Sequence, residues 1–457
     1  MGVGVSNWSL ARAVSSLGQL GVVSGTVIDT VFVRRLQDGD PGGHMRRAMA
    51  HFPIPEVAEN ALKQFFRPEG RPPGTPYKQL PMYQHIVDRG REQLAILAAF
   101  VEVHLAKEGH DGPVGVNLLT KVQLPNLALL YGAMLAGVDF VLMGAGIPRE
   151  IPKVLDAFAE QRMVAIRLEV EDRQADTPEY FSLDPRVHWQ GEPPPLKRPR
   201  FLPIISSHSL ATVLVRKAEG RVDGFVIEGP TAGGHNAPPR GELKLNDRNE
   251  PVYGPRDEVD LGKIAELGLP FWIAGGTGSP ERLREARAAG AQGIQVGTLF
   301  AFCEESGITA PLKKSVLEAV NKGDLDVVTD ALASPTGFPF KVVQWPEDPA
   351  KDAGRKRVCD LGYLRVAYAM PNGRIGYRCS SEPEKEYVAK GGKLDETDGR
   401  KCLCNALLAT IGLPQARKDG PDEPPLITSG DDLVKIGRFL QGRTAYRAQD
   451  VIEYLRG

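Results

Sequence analysis

The chain has 457 residues, 42% of them apolar and 25% charged, with a formal net charge of -1. That length exceeds what one hydrophobic core usually serves, so one large domain with an appendage is expected. The near-neutral balance argues against nucleic acid or an anionic membrane as partner. No apolar run reaches the length of a membrane span and no basic-then-apolar leader opens the chain, so the cytoplasm is the default expectation.

In chain order, "GVGVSN" at 2–7 has the look of a dinucleotide fingerprint, but its sixth position is Asn7 and no strand precedes it. Apolar, β-rich runs then alternate with helical patterns. The runs lie at 21–25, 114–119, 139–144, 163–168, 202–206, 224–229, 271–276 and 293–298. Several are apolar throughout, as strands covered on both faces should be. Of the helical segments, "SPERLREARAAG" is the clearest: Ser279 suits the N-cap, Pro280 the first position and Gly290 the end. Repeated strand–helix alternation predicts an α/β fold, a (β/α)8 TIM barrel over residues 1–338. Three stretches interrupt it as insertions: a mostly helical one at about 30–112, an irregular one at 171–200, and a Pro- and charge-rich one at 238–258 that could serve as a lid. Residues 339–457 change to short strands, turns and cysteines with a closing helical stretch, a small Cys-containing α+β appendage.

Three glycine-rich stretches, "EGPTAGGH", "AGGTGSP" and "QVGT", fall at the ends of consecutive expected strands. In a parallel barrel those ends share one face, where ligands bind. Backbone N–H groups at Gly275, Gly276 and Gly278, beside a helix start at Ser279, suit a phosphate cradle, although tight βα turns need such glycines too. His235 follows one glycine pair. Its unperturbed pKa near ~6.5 suits a base at neutral pH, and the competing reading is an inert loop histidine. His188 and His208, beside proline-rich or apolar segments, read as structural.

Five cysteines are an odd number, and four (Cys359, Cys379, Cys402 and Cys404) lie in the expected appendage. Four thiolates could enclose structural zinc or an iron–sulfur centre; the alternative is reduced, buried thiols, since the C-x-C of "KCLCN" is not the commoner C-x-x-C.

From Met1 to about Glu305 the chain resembles the FMN-dependent nitronate monooxygenases, formerly called 2-nitropropane dioxygenases, whose sister group is the flavin enoyl-acyl-carrier-protein reductases. "MGVGVSNWSLARAVSSLGQLGVVSG" is similar to the family's first helix and second strand, and "GVNLL" to its asparagine motif. "EGPTAGGH" followed by "IAGGTGSPERLREARAAGAQGIQVGTLFAFCEES" resembles its most diagnostic stretch. The resemblance implies bound FMN. Asn117 would contact the isoalloxazine region, Gly233 and Gly234 would let the backbone approach it, and Gly275, Gly276, Gln295, Val296, Gly297 and Thr298 would surround the ribityl phosphate. His235 falls on the family's catalytic histidine.

Glu228, also assigned to the flavin site, stands where nitronate monooxygenases usually carry glutamine and the reductases carry glutamate. The family's first strand is not evident, so either "MVAIRL" or another segment takes its place or the start lies upstream of Met1.

Two activities are compatible with the resemblance: oxidation of nitronates or nitroalkanes with dioxygen, His235 acting as base, or NAD(P)H-dependent reduction of an enoyl thioester. A binding or scaffold module with a decayed flavin site is the reading from another class.

Overall fold

The computed structural model describes residues 2–173, 177–351 and 355–457. Its centre is a seven-stranded parallel sheet: β1 (Gly21–Ser24), β2 (Val114–Leu119), β3 (Phe140–Gly144), β4 (Arg200–Ile205), β5 (Phe225–Glu228), β6 (Phe271–Ala274) and β7 (Gly293–Gln295). They pair in sequence order, β1 to β7. Helices fill the crossovers, among them Asn126–Leu135, Ile151–Ala159, His208–Lys217 and Pro280–Ala288. This is the strand–helix architecture that the alternation predicts. The sheet's apolar residues are covered on both faces: Val116, Val141, Phe201, Phe225 and Phe271 are buried on one and Leu142, Leu202 and Val226 on the other, which accounts for the continuous apolar runs in these strands. The Pro280–Ala288 helix begins as expected, with the Ser279 hydroxyl accepting the Arg282 N–H.

One expected strand lies elsewhere. Val164–Leu168, from "MVAIRL", pairs antiparallel with Glu179–Leu183 in a separate ribbon. The reason is legible in its alternation: Val164, Ile166 and Leu168 are buried while Arg167 is exposed. A strand with one wet face suits a two-stranded ribbon rather than the doubly covered sheet. It therefore does not fill the place of the family's first strand. The expected irregular stretch at 171–200 contains this ribbon's second strand, and residues 174–176 of it lie outside the described residues.

Between β1 and β2 lie the helices Ile28–Gln37, Pro55–Phe65 and Arg89–Lys107. Beyond the sheet, β8 (Asp326–Asp330) and β9 (Phe340–Gln344) form an antiparallel hairpin across residue 338. Further on, Val366–Ala369 pairs with Ile375–Arg378 and also, in parallel, with Val170–Glu171. The C-terminal helix packs Val451 and Ile452 into the same apolar cluster as Leu10, Leu299 and Phe302. Among the described residues no helix is long and apolar enough to cross a membrane.

A buried ion pair ties these parts together. The Arg91 guanidinium meets Asp29 Oδ2 at 2.5 Å, with both side chains almost fully buried. The same carboxylate accepts the Tyr83 hydroxyl at 2.8 Å and the Tyr363 hydroxyl at 2.5 Å. Burial alone would raise the Asp29 pKa; the Arg91 charge and these hydroxyls outweigh it and hold it below the usual range. Asp29→Ala should strand a buried guanidinium and the Tyr83 hydroxyl, costing about 3–5 kcal/mol. The expected readout is a clear drop in Tm by calorimetry, and an unchanged Tm would show the pair to be dispensable.

Candidate functional site

The C-terminal ends of six consecutive strands open on one cavity of about 230 Å³. Asn117 and Leu119 come from β2, Gly144 from β3, Ile204 from β4, Glu228 from β5, Ala274 from β6 and Gln295 from β7. Parallel strands deliver all these ends to the same face, so residues far apart in sequence meet there without any special local signal. The structure brings together every residue assigned in the sequence to flavin or proton: Asn117, Glu228, Gly233, Gly234, His235, Gly275, Gly276, Gln295, Val296, Gly297 and Thr298 all line the cavity. Neither His188 nor His208 does. Of the four cradle positions, Gly275 and Gly276 line it, whereas Gly278 and Ser279 do not.

Two glycines are required by geometry. Gly275 has φ +91°, and a Cβ there would stand 3.0 Å from both the Ala232 nitrogen and the Thr231 hydroxyl. Gly234 has φ +82°, but a Cβ there would meet nothing within 4 Å. The first glycine allows two loops to pack; the second leaves space bare. Gly297 likewise faces open space. Bare backbone beside a cavity is what a flat ligand or a phosphate uses to come close. Asn117 is held by its amide, which donates to the Leu142 carbonyl at 3.3 Å.

His235 is enclosed by the β8–β9 hairpin. Its backbone bridges to Phe340, the Asn236 N–H donates to the Pro339 carbonyl at 2.9 Å, and the Lys341 N–H donates to the Gly234 carbonyl at 2.9 Å. The ring stands edge-on to Phe340, with centroids 4.7 Å apart. Nε2 shares a 2.7 Å hydrogen bond with the hydroxyl of Ser334, a fully buried residue. The imidazole keeps some surface toward the cavity, but its other sides are protein. Burial therefore pushes its pKa down to about 4. It is a neutral imidazole at pH 7, not the half-titrated group that its unperturbed value suggests. Glu228 is moved the other way, and burial raises it to about 7.

The sequence reading missed the remaining walls. Residues 2–6 contribute Gly2, Val3, Val5 and Ser6, and the C-terminal region contributes Tyr363, Cys404 and residues 426–430 with Asp432. The only sequence signal for the last group is the hydroxyl–glycine–acid run "TSGDD", which by itself reads as a helix start.

Cys359, Cys379, Cys402 and Cys404 border a second, much smaller cavity. The neighbouring Cys379 thiol, together with burial, pushes the Cys359 thiol up. Burial raises Cys402 and Cys404 as well. Among the described residues no group of three or more His, Cys, Asp or Glu side chains is placed to hold a metal ion. The zinc or iron–sulfur expectation thus finds no support, and all five cysteines are free thiols.

Residues 197–332 match the family model described as nitronate monooxygenase. A "Probable nitronate monooxygenase" of Staphylococcus haemolyticus is 33% identical over 113 residues, 24% of this chain and 30% of the relative. One of Bacillus subtilis is 31% identical over 126 residues, 28% and 34% of the two chains. The chain thus spans about a third of the length of the curated relatives it matches. Among solved structures, a nitroalkane oxidase from Streptomyces ansochromogenes aligns over 100% of this chain and 92% of its own, at 14% identity and a TM-score of 0.44. FabK from Thermotoga maritima aligns over 75% and 68%, at 18% identity and a TM-score of 0.37.

The burial of His235 has a direct readout. Its ring protons, followed by NMR, should show no titration between pH 5.5 and 8 and a midpoint near 4. A midpoint near the free value of ~6.5 would mean that the ring is solvated.

Proposed function

We propose, from the match of residues 197–332 to the nitronate monooxygenase family model, that the chain is an FMN-dependent oxidoreductase acting on nitronates or nitroalkanes with dioxygen. The observation that carries this is the convergence on one cavity of bare glycine backbone, Asn117, Gln295 and a neutral, enclosed imidazole. The residues fit the cofactor: Gly234 and Gly297 leave open space where a Cβ would stand, and the buried Ser429 hydroxyl beside them has no partner in the protein. Gly233 and Gly234 would hold the ring system close, with Asn117 beside it. Gly275, Gly276, Val296, Gly297 and Thr298 would surround the phosphate. FMN, when bound, supplies the electron acceptor that dioxygen restores.

The protein's own task is proton handling and exclusion of water. His235, neutral at pH 7, accepts the proton from the carbon that bears the nitro group. Ser334 on Nε2 fixes the ring's orientation, as a hydrogen-bonded partner does for a catalytic imidazole. Phe340 packs against the ring and keeps water from that side. A depressed pKa makes the base available at all ordinary pH values but weak, so the developing anion must be stabilised by nearby donors for the transfer to proceed.

Glu228 favours a second reading, an NAD(P)H-dependent enoyl-thioester reductase, because the resembling reductases carry glutamate there. Anaerobic mixing with NADH, NADPH and a nitronate separately divides the two: bleaching of the flavin by nitronate alone supports the oxidase, and bleaching by a nicotinamide supports the reductase.

Two outcomes are expected of the purified protein. Heat should release a chromophore that chromatographs as FMN; FAD, or no flavin after reconstitution, would overturn the cofactor assignment. His235→Ala should lower turnover of a neutral nitroalkane by ~10²–10⁴, the usual scale for loss of a general base. An already ionised nitronate should lose far less, and equal losses on both substrates would make His235 a binding residue.

A further inference from the structure

Residues 427–432 lie outside the segment matched by the family, yet they are stitched to the glycine loops around the cavity. The Gly234 N–H donates to the Thr428 hydroxyl at 2.8 Å. The Asp431 N–H donates to the Thr231 carbonyl at 3.0 Å, and the Gly430 N–H to the Thr298 hydroxyl oxygen at 3.3 Å. From the hairpin, the Val343 N–H donates to the Ile427 carbonyl at 2.9 Å. There is no slack in this seam. A Cβ on Gly233 would stand 2.7 Å from the Ser429 carbonyl carbon, and one on Gly430 2.8 Å from Asp432 Oδ1.

Within this fixed segment, one polar group stands out. Asp432 is paired: its carboxylate accepts the Thr298 hydroxyl at 2.5 Å. Asp431 is matched by the Lys341 ammonium at 2.5 Å. Ser429 is not satisfied. It is 4% exposed, it lines the cavity, and its hydroxyl has no hydrogen-bond partner in the protein. A buried hydroxyl left unpaired is costly, and this one is held in place on both sides by neighbours that are paired. Its chain neighbour Gly430 touches Thr298, one of the residues assigned to the cofactor phosphate.

We propose that Ser429 is a cofactor-binding residue supplied by the C-terminal region, its hydroxyl donating to a phosphate oxygen of the flavin mononucleotide. This rests on the flavin reading above. The wall formed by residues 428–430 runs from the Gly233–Gly234 loop, assigned to the ring system, to Thr298, assigned to the phosphate, and the Asp432–Thr298 hydrogen bond holds it in register. A phosphate met by hydroxyl and backbone N–H donors needs no lysine.

Riboflavin, which lacks the phosphate, provides the test. Full-length protein stripped of flavin is titrated with FMN and with riboflavin, and binding is read from quenching of flavin fluorescence. Ser429→Ala should raise the Kd for FMN by about tenfold, the scale of one hydrogen bond to a charged acceptor, while riboflavin binding stays within about twofold. An unchanged FMN Kd, or equal weakening of both ligands, would overturn the proposal. So would a wild-type protein that binds riboflavin as tightly as FMN. Should Ser429→Ala fail to fold, Ser429→Cys, similar in volume and a weaker donor, gives the same reading. If the wild-type protein binds neither ligand, the flavin reading itself fails; if it binds both with a preference for FMN that Ser429→Ala leaves intact, only the role of Ser429 fails.

Discussion

A parallel sheet collects the ends of all its strands on one face, and the backbone polar groups gathered there must find partners. Much of this molecule is arranged around that constraint. The glycines that make the β5 and β6 loops tight also leave amide and carbonyl groups without a side-chain cover. Part of the demand is met from far along the chain: Thr428 takes the Gly234 N–H, Asp431 donates to Thr231, and Lys341 donates its N–H to Gly234. The hairpin and residues 427–432 are thus walls of the cavity rather than attachments to a finished barrel.

The same logic of distant closure appears on the other side of the cavity. Tyr363 lines the cavity and also donates to Asp29, the carboxylate paired with Arg91. Asp29 and Arg91 belong to the helical insertion, Tyr363 to the C-terminal third. One buried charge pair therefore sets where a wall residue of the cavity stands. Such a pair contributes more to register than to net stability, because its Coulomb attraction is offset by the desolvation of both groups.

What was legible in the sequence follows from how local each cause is. Strands covered on both faces announce themselves as unbroken apolar runs, so seven of the eight expected runs lie in the sheet. "MVAIRL" misled because a run of this length also suits a half-covered strand, and only the exposure of Arg167 betrays the difference. The glycine motifs and His235 were legible because close backbone approach leaves a local mark. The wall residues were not: Ser334, Phe340 and Ser429 owe their positions to tertiary pairing, and nothing in "ASPTGFPF" or "TSGDD" encodes which loop they meet. The cysteines show the opposite failure, a local cluster of free thiols that, among the described residues, is not arranged as a ligand set.

The electrostatics of the cavity follow from burial more than from charge pairing. Burial lowers His235 to about 4 and raises Glu228 to about 7. The order of proton affinities is thereby inverted relative to the free amino acids: the carboxyl group holds its proton more tightly than the imidazole. Around pH 5.5 both groups are neutral, and no imidazolium–carboxylate pair forms between them across the ordinary range. A proton taken up by His235 creates charge in a place where solvation is poor. It is retained there only while a counter-anion is present, and a substrate that has just lost that proton is such an anion. Under the proposed function, the imidazole would thus be strengthened as a base by the product of its own reaction. Within the proposed function, that coupling lets an imidazole too weak to abstract a proton in the empty cavity do so once the carbon acid is in place.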